Sequence, residues 1–244
     1  DVLNNRIQQQ VLGVTNTATQ AARIVLAADA TTSPTGQIVC RSTLTNPNNG
    51  CVPVNLFGGE HMQPPYLAMN PNGKVPLLDD DGFLLTECSA ILKYLAEVSG
   101  SPAYPADAKG RARVNAQMDW FNTGFYRCFG YGVVYPVVMP HMAHAAEVQD
   151  AVTSTCRKEA QSLLRILNDH MLTDAGAYLG GTEPNLADFL GVAYTTIGEM
   201  IGEDFGDFRR IMRWIAAMKA RPSWAAANGG FEAWRDATLA KGAA

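Results

Sequence analysis

The sequence predicts a small α/β portion followed by an all-α helical bundle, and three observations lead there. Val75-Pro76-Leu77-Leu78 and Gly82-Phe83-Leu84-Leu85 are short apolar runs joined by Asp79-Asp80-Asp81-Gly82, a hairpin whose turn composition favours positive φ at its end. Ala90, Ile91, Tyr94 and Leu95 follow at spacings of one, three and four, which starts a helix near Glu87. From about residue 107 onward, apolar side chains recur at helical spacing. With 244 residues and 47% hydrophobic content, the chain can bury a sizeable core in one large or two modest domains. A formal charge of −4 provides no basic footprint for nucleic acid. No run of eighteen apolar residues is present to span a membrane as a helix. These features describe a soluble, two-lobed protein. The chain opens at Asp1 without an initiator Met or a signal-peptide pattern, so its first residue is read as a non-native start, in a fragment, a processed product or a misjoined reading frame.

Taken in order, Val11-Leu12-Gly13-Val14 reads as a strand, Thr15-Asn16-Thr17 as a turn and Ala21 to Ala28 as a helix. Thr31 to Gly50 then supplies about twenty turn-rich residues where a compact βα unit uses only a few. Pro76 stands at a strand start, where its missing N–H does no harm, and a cis bond there would present the Val75 backbone to a ligand. Asp107 to Phe129 is a candidate helix with Ala112, Asn115, Ala116, Asp119 and Trp120 on successive turns. Its end is densely aromatic, with Trp120, Phe121, Phe125, Tyr126, Phe129, Tyr131 and Tyr135, and such clusters more often form core than ligand pockets. Cys156, Ala160, Leu163, Leu167 and Met171 mark the core face of another long helix. The loop Tyr178 to Pro184 leads to Asn185, which caps a helix while Asp188 reaches back to the cap residue's N–H. Leu186, Leu190, Ala193, Ile197 and Ile201 then trace a buried stripe, and Phe208, Ile211, Ile215 and Met218 another, ending before Pro222.

The chemistry concentrates in Asn70-Pro71-Asn72-Gly73-Lys74-Val75-Pro76 and in the helix start at Glu87-Cys88-Ser89. First-turn N–H groups lack partners within a helix and carry partial positive charge, which suits a carboxylate ligand. Glu87 at the same place suits an ammonium group, so a ligand bearing both on one carbon, such as a γ-glutamyl unit, fits the pair. Other constellations are weak. His141, His144 and Glu147 fall at i, i+3 and i+6, but further metal ligands are not evident. Gly180-Gly181 and Gly229-Gly230 have no phosphate-loop context, and no Ser-His-Asp set has a strand-to-helix elbow.

From Gly58 to its end the chain resembles the cytosolic glutathione transferases of theta-like bacterial type. The resemblance rests on Gly59-Glu60-His61, on Asn70 to Pro76, on Glu87-Cys88-Ser89-Ala90-Ile91 and on Asn185-Leu186-Ala187-Asp188-Phe189. It implies a thioredoxin-like glutathione-binding portion over 59–100 and an all-α C-terminal domain over 101–244, preceded by an atypical segment over 1–58 whose first βα unit is altered or missing. The implied activity is thiolate attack of reduced glutathione, the co-substrate, on small hydrophobic electrophiles, without a metal. The backbone of Val75 with Pro76 would pair with the cysteinyl part of glutathione. Glu87 with Cys88 would take the γ-glutamyl end, His61 would reach the glycyl carboxylate, and Lys74 joins this binding set. Trp120, Tyr126, Arg127 and Tyr131 correspond to the wall of the electrophile pocket, although Arg127 equally suits a solvated surface. A homodimer in the cytoplasm, contacting neither nucleic acid nor membrane, is also implied. The Asn185/Asp188 cap is a folding signature and takes no catalytic role.

Two departures matter. The family has Ser where this chain has Cys88. A thiol is a weaker hydrogen-bond partner than a hydroxyl, whereas a helix N-terminus can lower a thiol's pKa and make it reactive. Thr15 and Thr17 are the only hydroxyls placed to donate to a glutathione thiolate at a first helix start. Gly36 to Gly58, with Cys40 and Cys51, resembles a segment of TonB-dependent outer-membrane receptors, in which the two cysteines would be expected to form a disulfide. A chimera joined near Leu56-Phe57-Gly58 and a divergent N-terminus are both open on this reading. Three function classes follow: a glutathione transferase, a non-catalytic glutathione-binding or interaction protein that has lost the catalytic unit, and a redox enzyme acting through Cys88.

Overall fold

The computed structural model describes residues 39–42, 50–52, 54–55, 58–80 and 82–242, with the backbone alone in the first two segments. Four strands, β1 (Val39–Ser42), β2 (Gly50–Val52), β3 (Leu78–Asp80) and β4 (Phe83–Leu85), form a sheet in the order β2-β1-β3-β4. β3 and β4 make the predicted antiparallel hairpin, Leu78 opposite Leu85 and Asp80 opposite Phe83. Its turn closes where the Gly82 N–H donates to Asp79 Oδ1 at 2.8 Å. Gly82 takes a φ of 89°, a conformation that favours glycine. β1 runs parallel to β3 with Cys40 in register with Leu78, so residues before Gly58 belong to the same sheet as the hairpin.

The two strands before residue 58 depart from a strand–helix–strand order. β1 and β2 pair antiparallel, with Cys40 opposite Cys51. Their connection, residues 43–49, falls short of the dozen or so residues that a parallel crossover needs, so a hairpin is the pairing open to it. The sequence-predicted strand, turn and helix over residues 11–28, with Thr15 and Thr17, lie outside the described residues.

The chain divides into two compact units, Asp1–Tyr104 with Pro222–Trp234, and Pro105–Arg221 with Arg235–Ala244. In the first, α1 (Cys88–Val98) buries Ile91, Leu92, Leu95 and Ala96. Ala90 and Tyr94, predicted on that face, are only half-buried, so the buried face is centred one position later.

In the second unit, Asp107 caps α2 (Ala108–Trp120) by accepting from the Gly110 N–H at 2.8 Å. The helix continues through π-helical segments, Phe121–Phe125 and Arg127–Val134. The residues that the sequence placed on successive turns, Ala112, Asn115, Ala116, Asp119 and Trp120, do not form its core face. Val114, Met118, Phe121 and Phe125 are buried instead, and the exposed Ala112, Ala116 and Asp119 face outward. Burial follows apolar area, about 1.5–3 kcal/mol for each large side chain, and the larger side chains lie on the other face. The later helices of this unit are α3 (Ala146–Ile166), α4 (Leu186–Thr196) and α5 (Arg209–Lys219); α6 (Trp224–Gly242) belongs to the first unit up to Trp234 and to the second from Arg235. On α3, Ala160 and Leu164 are buried whereas Cys156 and Leu163 are half-buried. Every residue of α4 is buried, and Gly191 is needed there because a Cβ would come within 2.3 Å of the Phe121 ring. Phe208, Ile211, Ile215 and Met218 are buried as their spacing predicted. Among the described residues, no helix is long and apolar enough to cross a membrane.

Candidate functional site

The loop from Asn70 to Pro76 is held by its own polar residues. Tyr66 Oη and Asn70 Nδ2 both donate to the Lys74 carbonyl at 2.6 Å. The Asn72 N–H donates to Asn70 Oδ1 at 3.1 Å, and the Gly73 N–H to the Asn70 carbonyl at 3.0 Å. Gly73 has a φ of 57°, and a Cβ there would lie 2.7 Å from Met62 Sδ, so both conformation and space call for glycine. Burial pushes the Tyr66 hydroxyl up to about 12, which keeps it a donor. The loop carries the exposed Lys74 and the buried Val75 into a cis Val75–Pro76 peptide and on to β3. Sequence reasoning had found the loop, Asn70 included, but not Tyr66, which joins Asn70 in fixing it.

Glu87 precedes α1 with φ 68° and ψ 117°, the non-glycine residue at positive φ among those described. Such backbone costs on the order of 1–3 kcal/mol and is concentrated at functional positions. The Glu87 side chain is exposed and makes no capping bond to α1. Cys88 behind it is buried, and burial first, with Glu87 adding to it, drives its thiol well above the usual range. Burial is the largest influence on this thiol, which argues against reading Cys88 as activated.

His61 lies in the short 3₁₀ turn Glu60–Met62, entered through Gly59 at φ 74°. The Glu60 N–H donates to the Asn55 carbonyl at 2.9 Å, and the Asn55 N–H to Glu60 Oε2 at 2.6 Å. The His61 Nδ1 is buried without a hydrogen-bond partner among the described residues, and burial lowers its pKa. A buried ring nitrogen in that state is a place where an incoming polar group gains a bond.

The predicted aromatic residues belong to the helical unit. Tyr126 is buried and stacks on Tyr194 with centroids 4.0 Å apart and planes 2° from parallel. Its hydroxyl shares a short hydrogen bond with that of Tyr135, and burial holds it well above the usual phenol range. Tyr131, 42% exposed, meets Tyr126 and Tyr135 edge-on at 5.0 and 5.2 Å. Trp120 is half-buried and stacks on Phe125 at 5.8 Å. Arg127 is exposed, with a guanidinium nitrogen 3.8 Å from Glu159, as suits its solvated reading. Tyr194 was missed from sequence, where it stands inside an apolar helical stripe; its pairing with Tyr126 across two helices leaves no local signal. His141, His144 and Glu147 are exposed, and no group of three or more His, Cys, Asp or Glu among the described residues is placed to hold a metal ion.

The fold is that of a thioredoxin-like domain with a small sheet, followed by a helical C-terminal domain. Residues 50–97 match the glutathione S-transferase N-terminal domain and residues 126–222 the glutathione S-transferase C-terminal domain. Together these matches span more than half of the chain, which belongs to the glutathione S-transferase family. The first begins inside the segment 36–58 that resembles TonB-dependent receptors, so the family match does not wait for a junction near Leu56-Phe57-Gly58. Among relatives, glutathione S-transferase D6 of Drosophila melanogaster is 26% identical over 176 residues, covering 71% of this chain and 77% of the fly protein. A delta-class glutathione transferase of Nilaparvata lugens superposes with a TM-score of 0.72 at 24% identity, covering 98% of this chain and 94% of that one. A glutathione transferase homolog from Sulfitobacter, with bound glutathione, gives 0.62 at 22% identity, covering 78% and 96%.

Proposed function

We propose that this chain conjugates reduced glutathione to small hydrophobic electrophiles. Glu87 binds the γ-glutamyl ammonium while the first turn of α1, beginning at Cys88, receives its carboxylate. The Val75 backbone beside Pro76 pairs with the cysteinyl unit, and His61 with Lys74 takes the glycyl carboxylate. Thr15 or Thr17 donates to the thiolate, and Trp120, Tyr126 and Tyr131 hold the electrophile. The bound thiolate attacks the electrophilic carbon, the C–S bond forms and the leaving group departs; positioning and thiolate stabilisation provide the acceleration. The observation that supports this reading most is Glu87, held exposed in strained backbone at the start of a helix it does not cap. Within the family, the theta-like bacterial type stands beside a match described as delta-class. A homodimer, a cytoplasmic location and a division near residue 100 belong to the same proposal, as they do to the family resemblance.

A second reading, glutathione binding without turnover, is favoured by the β1–β2 hairpin that replaces a crossover ahead of β3. Two measurements separate the readings. Isothermal titration with reduced glutathione should show saturable binding, weakened at least tenfold in Glu87→Ala. Turnover of a thiol-reactive chromogen then supports the transferase; binding without turnover supports the second reading, and absence of binding in folded protein rejects both.

A further inference from the structure

The β1–β2 hairpin sets two of the chain's five cysteines directly across from each other. The strands pair antiparallel with Val39 opposite Val52, Cys40 opposite Cys51 and Arg41 opposite Gly50, so the cysteines occupy the middle rung of three. Directly opposite residues of an antiparallel pair share a face of the sheet, with Cα atoms about 4.5 or 5.5 Å apart according to whether the rung is hydrogen-bonded. A disulfide spans Cα separations of about 4.4–6.8 Å, so either kind of rung admits the bond. The hairpin has already brought the rung together, and closing the bond costs little further chain entropy. β1 is an inner strand, in the order β2-β1-β3-β4, and Cys40 is also in parallel register with Leu78 of β3. Leu78 stands two residues after Pro76, so the rung lies beside the strand that leaves the Val75–Pro76 loop. The proposed conjugation uses neither cysteine. The receptor-like resemblance of residues 36–58 implied a disulfide here, and the strand register is an independent observation for it.

We propose that Cys40 and Cys51 are a redox pair, which glutathione disulfide oxidises to an intramolecular disulfide across β1 and β2 and which reduced glutathione reopens. The thiolate of one cysteine attacks a sulfur of glutathione disulfide, forming a mixed disulfide and expelling one glutathione thiolate. The other cysteine, having lost its proton to water, attacks the protein sulfur of the mixed disulfide; the Cys40–Cys51 bond forms and the second glutathione thiolate leaves. Two protein thiols are oxidised to one disulfide, and one glutathione disulfide is reduced to two glutathiones. The second step is intramolecular and is favoured by the register that holds the two residues on one rung. The bond also has structural weight. β2 is three residues long, and a ladder so short is marginal by itself, so a covalent rung fixes the edge strand to the sheet.

Incubation of the full chain with glutathione disulfide, followed by chymotryptic peptide mass spectrometry without reductant, tests this, because Leu44 lies between the two cysteines. The expected product links the peptide containing Cys40 to the one containing Cys51, and reduced glutathione in excess reverses it. Cys40→Ser should stop at a glutathione adduct on Cys51, and Cys51→Ser at one on Cys40. The register offers a sharper test. The double variant Cys40→Ser/Arg41→Cys moves the first cysteine one position along β1, onto the other face of the sheet, and should slow the cross-link to Cys51 at least tenfold. Adducts on Cys40 or Cys51 of the unsubstituted chain with no cross-link, or no reaction at either, would overturn the proposal. A cross-link that forms as fast in the double variant would also overturn it, because nearness in sequence would then suffice without the register. So would a cross-link from Cys40 or Cys51 to Cys88, Cys128 or Cys156 in place of the expected one.

Discussion

Two helix starts in this molecule are built in opposite ways. At α4, Asn185 Oδ1 accepts from the Ala187 N–H at 2.7 Å and Asp188 accepts from the Asn185 N–H at 2.8 Å. Asp188, fully buried, also accepts from the Leu179 N–H at 2.7 Å, the Gly180 N–H at 3.3 Å and Trp214 Nε1 at 2.8 Å. At α1, Glu87 caps nothing, is exposed, and holds a backbone angle that costs energy. One start uses a carboxylate to satisfy the protein, and the other leaves its carboxylate for something outside it. The same residue chemistry therefore marks a folding signature in one place and a candidate ligand site in the other, and burial distinguishes them.

The sharpest way to break that contrast is at Asp188. Asp188→Ala takes the acceptor from four donors, two of them, the Asn185 N–H and Trp214 Nε1, in buried bonds, and should lower unfolding free energy by about 3–5 kcal/mol, read from the urea midpoint. The loss at Glu87→Ala should instead appear in glutathione titration and not in stability.

A second test uses pH. Burial pushes the Asp188 carboxyl up to about 6, although its four donors pull the other way. An unfolded aspartate titrates near 3.9, so between about pH 4 and 6 the folded state binds more protons than the unfolded one. Stability contributed by this group is present below that window and declines through it as pH rises, by up to ~3 kcal/mol. Asp188→Asn should remove that decline from a stability-against-pH profile, whatever its cost at any one pH.

Much of this was legible in the sequence, for a physical reason that also sets the limit. Asn185 and Asp188 were readable as a cap because a capping box acts over three residues. The hairpin around Gly82 was readable because its turn is equally local. What was not readable depends on partners distant in the chain. The stacking of Tyr194 on Tyr126 and the choice of Val114 and Met118 over Ala112 and Ala116 are decided by what packs opposite. The fate of Cys88 is likewise decided by burial, which no three-residue window reports. Thr15 and Thr17 lie outside the described residues, so the thiolate donor remains a proposal from sequence.

Asn185→Ala should have a moderate effect, because it removes one cap acceptor while leaving Asp188 and its other donors in place. A loss of about 1 kcal/mol is expected in the same urea titration. A loss as large as that of Asp188→Ala would mean that the two residues act as one unit, which the double substitution would show as non-additivity.

The smallest effect has the opposite sign. At φ 68° and ψ 117°, glycine is at ease where glutamate is not, so Glu87→Gly should stabilise the fold by up to ~1 kcal/mol. Glycine also adds freedom to the unfolded chain, which is why the gain falls short of the full strain. The same substitution should weaken glutathione binding at least tenfold, because it deletes the carboxylate proposed to hold the γ-glutamyl ammonium. A gain in stability together with a loss in binding is the signature of strain kept for a ligand. Weaker binding with no gain in stability would place the contribution of Glu87 in its side chain alone. A gain in stability with binding intact would assign the strained turn to the geometry of β4 entering α1, and would remove Glu87 from the proposed site.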